Sequence, residues 1–207
     1  MNALARNYTP AEAAAISGIG IKAVHNAIDK RIVDTVPAPA SSKGAPKRRA
    51  LTRDDLLRLK LWYGIGSTLA AERRQRLFEE IRASPAARTV KADDLLIIDV
   101  SEARRQLKAR LDELEEVEAM VERAKDVMGG EPVFKGTRIP VRMVAAMVSQ
   151  GAGEAELLEG YPALTARMIE LSGIWAAAHP PRGRPKKLAA QGLKAKESMR
   201  VPLRPVA

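Results

Sequence analysis

GEPVFKGTRIPVRMVAAMVSQGAGEAELLEGYPALTARMIELSGIWAAA, residues 130–178, sets a short turn-linked ribbon directly against three helical patterns. Gly136 follows Lys135 where two extended pieces reverse, because glycine accepts positive φ without steric cost. Pro140 has no N–H to give a central ladder, so the second piece ends there or lies on an edge. Its preset φ suits a helix starting near Val141. In that helix Val141, Val144, Ala145 and Val148 are expected to face inward, and Gly151 ends it. Residues 154–159 form a shorter helix carrying Leu157 and Leu158. Thr165 caps a third, where Met168, Leu171 and Trp175 share a face. Three helices with a glycine turn could present one helix to DNA, yet residues 151–178 hold four Glu and a single basic residue, Arg167. That charge repels phosphate, so packing or protein contact is the expected role.

Three stretches carry a resemblance: Gly129-Gly130-Glu131-Pro132-Val133, then Lys135-Gly136-Thr137-Arg138-Ile139-Pro140-Val141, and finally Tyr161-Pro162 followed by Leu164-Thr165. Together they resemble the bacterial antitoxin-associated family catalogued as domain of unknown function 433. The run from Lys135 to Pro140 is its motif, and the resemblance covers about a quarter of the chain. It implies a VapB-type antitoxin of a VapBC-like toxin–antitoxin module. The implied partner is a PIN-like ribonuclease toxin with an acidic, metal-binding active site.

The net charge of +10 over 207 residues is unevenly spread. Residues 1–90 hold 16 Lys+Arg and 8 Asp+Glu; residues 91–178 hold 11 and 16; residues 179–207 hold 8 and 1. Two basic ends around an acidic middle suggest polyanion contacts at the ends and protein contacts between them. With no Cys there is no disulfide framework and no thiolate metal site, which fits a reducing cytoplasm. The start, MNALARNYTP, lacks an apolar leader, and no apolar run approaches the length of a membrane span. The expectation is therefore a cytoplasmic protein without a membrane partner. Two His, at 25 and 179, and no phosphate-loop or nucleophile-elbow motif argue against an enzyme, and no cofactor or metal is expected.

Near the N-terminus, YTPAEAAAISGIGIKAVHNAIDKRIV reads as two helices joined by a tight turn. Thr9, Pro10 and Glu12 make a capping box with proline at the first helical position. Ile21, Val24 and Ile28 form one stripe of the second helix, while Lys22, His25, Asn26 and Lys30 fall largely off it. Arg31-Ile32-Val33 is expected to open a wing that returns through Lys47, Arg48, Arg49, Ala50 and Leu51. Thr52 then caps a further helix. The order resembles a MerR- or excisionase-type winged helix-turn-helix over about residues 7–65. That likeness assigns Lys22, His25, Asn26 and Lys30 to base edges or phosphates, and Lys47, Arg48 and Arg49 to the DNA backbone.

The run from Leu95 to Val100 is apolar enough for a buried strand, with Asp99 or Ser101 capping the helix beyond it. From Ser101 to Val127, apolar residues at 103, 107, 111, 114, 117, 121 and 124 describe one face of a helix about 40 Å long. Such a seam could pair two subunits into a homodimer or pack back on the N-terminal module. At the other end, Arg182-Gly183-Arg184-Pro185 is similar to an AT-hook core suited to an A·T minor groove. Arg200 and Arg204 in MRVPLRPVA are the expected toxin contacts, ordering on a partner.

The fold class expected is mainly α: an N-terminal winged helix-turn-helix, a long connecting helix, and a short β-ribbon plus a C-terminal three-helix, homeodomain-like domain. The corresponding divisions are residues 1–90, 91–128, 129–179 and a basic tail over 180–207. The expected function is a type II antitoxin that neutralises its toxin by direct binding and represses its own operon. The alternative is a stand-alone MerR- or excisionase-like transcriptional regulator, or a nucleoid-binding protein.

Overall fold

Two capping boxes set where the first and third helices begin in the computed structural model, which describes residues 6–37, 49–123 and 128–181. Glu12 N donates to Thr9 Oγ1 at 3.3 Å and Thr9 N donates to Glu12 Oε2 at 2.6 Å, starting α1 (Pro10–Ser17). Thr52 and Asp55 repeat the arrangement at α3 (Arg53–Leu61). Between them lies α2 (Ile21–Asp29), entered through Gly20. Its stripe buries Val24, Ala27 and Ile28; Ile21, expected inward, is 40% exposed.

The first ribbon begins later than the strand expected at residues 31–33. β1 (Val36–Pro37) pairs antiparallel with β2 (Arg49–Ala50), whereas the strand was expected at Arg31-Ile32-Val33. Those three residues instead finish the end of α2, with Arg31 in the left-handed region at φ 54° and Val33 buried. Two elements come next that the sequence reading did not contain. α4 (Ala71–Ala83) follows a wide turn over Trp62–Gly66, and β3 (Thr89–Lys91) pairs antiparallel with β4 (Ile97–Asp99). The expected buried strand is only half buried. Ile98 and Val100 face the core, while Leu95 is 94% exposed, because a two-stranded ribbon packs on one face.

α5 (Ser101–Ala119) has 19 residues, about 28 Å, and stops well short of Val127. Asp99 Oδ1 accepts from Ser101 N at 2.7 Å at its start. The helix ends because Val121 and Glu122 leave it to form β5, paired with β6 (Val133–Phe134). Lys135 N donates to Met120 O at 2.8 Å and extends this pairing. Residues 124–127, the last part of the expected helix, lie outside the described residues.

α6 (Val141–Ser149), α7 (Glu154–Gly160) and α8 (Ala166–Ala178) follow in the expected order. Val141 and Val144 of α6 point inward, but Val148 is 39% exposed. Thr165 Oγ1 accepts from Met168 N at 3.2 Å and caps α8. α8 is the central element. It packs against α1, α5 and α6 and buries Ile169, Leu171, Ser172, Ile174, Trp175 and Ala178.

One continuous apolar cluster runs from Tyr8 to Ala178. Of the two readings of the α5 stripe, packing back on the N-terminal module is the one seen: Leu107, Leu111, Leu114 and Val117 are buried within the chain, where α5 meets α1, α3 and α8. The architecture is mainly α, with three two-stranded ribbons among the described residues. No helix among them is long and apolar enough to cross a membrane.

Candidate nucleic-acid interface

The 3.6-residue period of α2 separates its two faces cleanly. Val24, Ala27 and Ile28 are buried, while Lys22, His25, Asn26 and Lys30 are exposed on the other side. Polar contacts with the α3 region support the buried side. Tyr63 Oη donates to Ala23 O at 2.8 Å, and Lys60 Nζ donates to Ser17 O at 3.5 Å, just before the α1–α2 turn. Arg49 Nη1 reaches Asp29 Oδ1 at 2.9 Å and sets β2 beside the outer face of α2. Both partners are more than half exposed, so the pair contributes at most about 1 kcal/mol and acts mainly on orientation. The structure thus brings Lys22, His25, Asn26, Lys30 and Arg49 to one side. Lys47 and Arg48 lie outside the described residues, as do Arg182, Gly183, Arg184, Pro185, Arg200 and Arg204.

The Lys135–Pro140 motif divides into residues that build a loop and residues that the loop displays. Gly136 takes φ 73° and donates its N–H to Glu122 Oε1 at 3.1 Å. Thr137 ties the loop shut: its N and Oγ1 donate to Phe134 O at 3.0 and 2.9 Å, and its Oγ1 accepts from Ile139 N at 3.0 Å. Pro140 precedes α6 and bridges to Val133. Lys135 and Arg138 remain exposed with no ion pair among the described residues. The scaffold accounts for Gly136, Thr137, Ile139 and Pro140; it does not account for the two cations.

The polar junction between the two halves was not visible in the sequence. Arg6 Nη2 donates to Glu118 Oε1 at 2.8 Å and to Glu12 Oε1 at 3.1 Å, and His179 Nε2 lies 3.1 Å from Glu118 Oε1. Burial pushes the Glu118 carboxyl up, but hydrogen bonds from His179 and Arg6 outweigh it and hold the pKa at about 2. The same contacts raise the Arg6 guanidinium above its usual range. Glu12, Glu118 and His179 offer one ligand atom each within 4.8 Å of one another, a set that could hold a divalent ion. Arg6 already bonds both carboxylates, so the arrangement works as an ion-paired clasp tying the N-terminus and α1 to α5 and the end of α8.

Sequence reasoning also passed over the arginines of α3 and α4. Arg58 lies over the Phe78 ring at 5.1 Å and Arg74 over the Trp62 ring at 4.6 Å, beside Lys30 of α2. Their signal was present, since basic residues interleave with Trp62 and Phe78 between 53 and 82. A cleft of about 1070 Å³ has His25, Arg49, Arg142 and His179 among its lining residues.

Residues 121–172 match the family described as "Protein of unknown function (DUF433)". The uncharacterized protein y4eO of Sinorhizobium fredii is 30% identical over 196 residues, spanning 89% of this chain and 86% of that protein. The chain belongs to one family with it. Among solved structures, the X-ray crystal structure of RV2018 from Mycobacterium tuberculosis aligns with 80% of this chain and 95% of its own. Its identity is 12% and its TM-score 0.32.

Proposed function

We propose that the chain is the DNA-binding antitoxin of a type II toxin–antitoxin pair. It grips operator DNA through α2 and the β1–β2 ribbon, as a winged helix-turn-helix would, and represses its own operon. Its C-terminal half holds a PIN-like ribonuclease toxin. The observation that carries the DNA half is the outer face of α2, where Lys22, His25, Asn26 and Lys30 stand exposed beside Arg49. Cations on one helix face beside an antiparallel ribbon suit a major groove and its flanking phosphates.

The toxin half rests on the family motif and on what its loop displays. Lys135 and Arg138 project from a loop whose other members are consumed in holding it together. Two exposed cations on a tied loop suit an acidic protein surface. The mechanism is occlusion: the toxin's active site is covered and the operator is occupied, with no catalytic step. Arg200 and Arg204 stay in this reading as further toxin contacts, and Arg182 to Pro185 as a minor-groove contact. A homodimer would pair through a surface other than the α5 stripe, which the chain's own helices cover.

The exposed α2 face equally supports a stand-alone regulator of the MerR or excisionase kind. Co-expression with the product of the adjacent reading frame, followed by size-exclusion chromatography and a ribonuclease assay, separates the two. Co-elution with loss of nuclease activity is the expected result. A neighbour that elutes alone and stays active leaves only the regulator.

A further inference from the structure

The cleft between α2, α3 and α4 gathers more positive charge than its own carboxylates answer. About 280 Å³ in volume, it is bordered by Lys30, Arg31, Arg58, Arg74 and Arg82 against Glu79, with exposed Asp34 Oδ2 3.8 Å from Arg58 Nη1 beyond the lining. Glu79 already accepts from Gln75 Nε2 at 2.8 Å. Two of the guanidiniums are held in place before any ligand arrives. Arg74 lies over Trp62 and its Nη1 donates to Gly66 O and Leu69 O at 3.3 and 3.4 Å; Arg58 lies over Phe78. The two rings stack with centroids 6.2 Å apart and give the cations a common base. Arg58 Nε is buried with no hydrogen-bond partner, so the part of the guanidinium open to the cleft is its outer nitrogens.

Arg31 supplies the independent observation. Ile32 N donates to Ala27 O at 2.8 Å and Arg31 N to Ile28 O at 3.0 Å, closing α2 in the pattern that places its next residue in the left-handed region. Glycine adopts that conformation without strain. Here the position carries an exposed arginine at φ 54°, the single non-glycine residue with positive φ among the described residues. Stability alone favours glycine at this point, so the arginine's cost points to work done by its side chain.

We propose that this cleft binds a phosphoryl group, with Arg31 and Arg82 closing over an anion that Arg74, Arg58 and Lys30 face. Guanidinium forks match phosphoryl oxygens in pairs, and several cations around one small cleft select a multiply charged anion over a lone carboxylate. A backbone phosphate of DNA and a free phosphorylated compound present the same oxygens. The site therefore stands whether or not the operator reading does.

The test uses the full chain labelled with 5-fluorotryptophan. Its two Trp then give two fluorine signals, one at the cleft and one at buried Trp175 in α8. Inorganic pyrophosphate titrated at constant ionic strength should shift the Trp62 signal and leave the Trp175 signal in place. Arg31→Gly and Arg82→Gln should each weaken that response by about tenfold or more. Arg31→Gly should melt no lower than the parent, since it relieves the left-handed strain; this separates lost binding from lost folding. An unmoved Trp62 signal, or variants that bind as the parent does, would overturn the proposal. Duplex DNA that displaces pyrophosphate identifies the backbone as the phosphoryl source. Duplex that binds without displacing it identifies a free compound, and duplex that does not bind rejects the operator reading while the pocket stands.

Discussion

α2 and α8 show opposite uses of a short helix. α2 buries three residues and leaves Lys22, His25, Asn26 and Lys30 to solvent without an ion pair among the described residues. α8 buries six, and its one arginine, Arg167, is answered twice, by Glu116 at 2.6 Å and by Glu170 at 2.8 Å. Charge balanced within the chain serves the fold, whereas charge left unbalanced on an exposed face is available to a partner. By that criterion α8 is scaffold, and within the family-matched segment the Lys135–Arg138 loop displays unbalanced positive charge. The comparison can be broken at either helix.

The largest effect is expected at α8. Trp175 is 3% exposed and sits at the contact of α8 with Arg142, whose guanidinium lies 5.2 Å above the ring. Trp175→Ala should cost about 3–5 kcal/mol by chemical denaturation, because the cavity opens at the centre of the molecule. A loss below about 1 kcal/mol would mean that α8 is not the scaffold its burial indicates.

At α2 the expected effect is on binding alone. Lys22→Glu with Lys30→Glu should weaken duplex binding by about a hundredfold at low salt and lower the slope of log K against log salt by about 2. The melting temperature should stay near that of the parent, since both side chains are exposed. Unchanged duplex affinity in the double variant would remove α2 from the interface.

How much of this could be read beforehand depended on range. Thr9, Thr52 and Thr165 announced their helices because a cap is a contact over three residues. Val121 misled because it stands four residues after Val117, in step with the α5 stripe, while its real partner is Phe134 across a ribbon. Backbone pairing with a distant strand overrode a periodicity that is only local. α4 was missed for a different reason. It buries Leu77 and Phe78 and little else, too few apolar residues to make a stripe among its arginines. The clasp joins Arg6 to Glu118, 112 positions away, and His179 to Glu118 across 61, distances that no window of sequence spans.

That clasp gives a prediction in pH. The folded Glu118 carboxyl titrates at about 2 against an ordinary value of 4.5, so its contribution is complete above pH 4.5 and is lost as pH falls towards 2. Allowing for its partial exposure, this amounts to about 1–2 kcal/mol. Glu118→Gln should therefore lower stability at pH 6 by about that amount and converge with the parent near pH 2. A difference between the two proteins that stays constant from pH 6 to pH 2 would show that the carboxylate's charge is not what holds the clasp.

The smallest effect on stability, and the sharpest test of the comparison, lies in the family loop. Gly136 and Thr137 form the turn, and the side chains of Lys135 and Arg138 make no hydrogen bond among the described residues. Lys135→Ala with Arg138→Ala should change unfolding free energy by no more than about 0.5 kcal/mol. Thr137→Ala removes the hydroxyl that joins Phe134 O to Ile139 N and should cost about 1 kcal/mol. If the loop is the surface that the family segment offers to a partner, the double variant keeps its fold and its duplex binding but releases a co-expressed toxin on size exclusion. A double variant that retains the toxin as the parent does would turn attention from the loop to the chain beyond residue 181. A double variant that destabilises as much as Thr137→Ala would make the loop scaffold too, and the contrast with α2 would then extend to the whole family-matched segment.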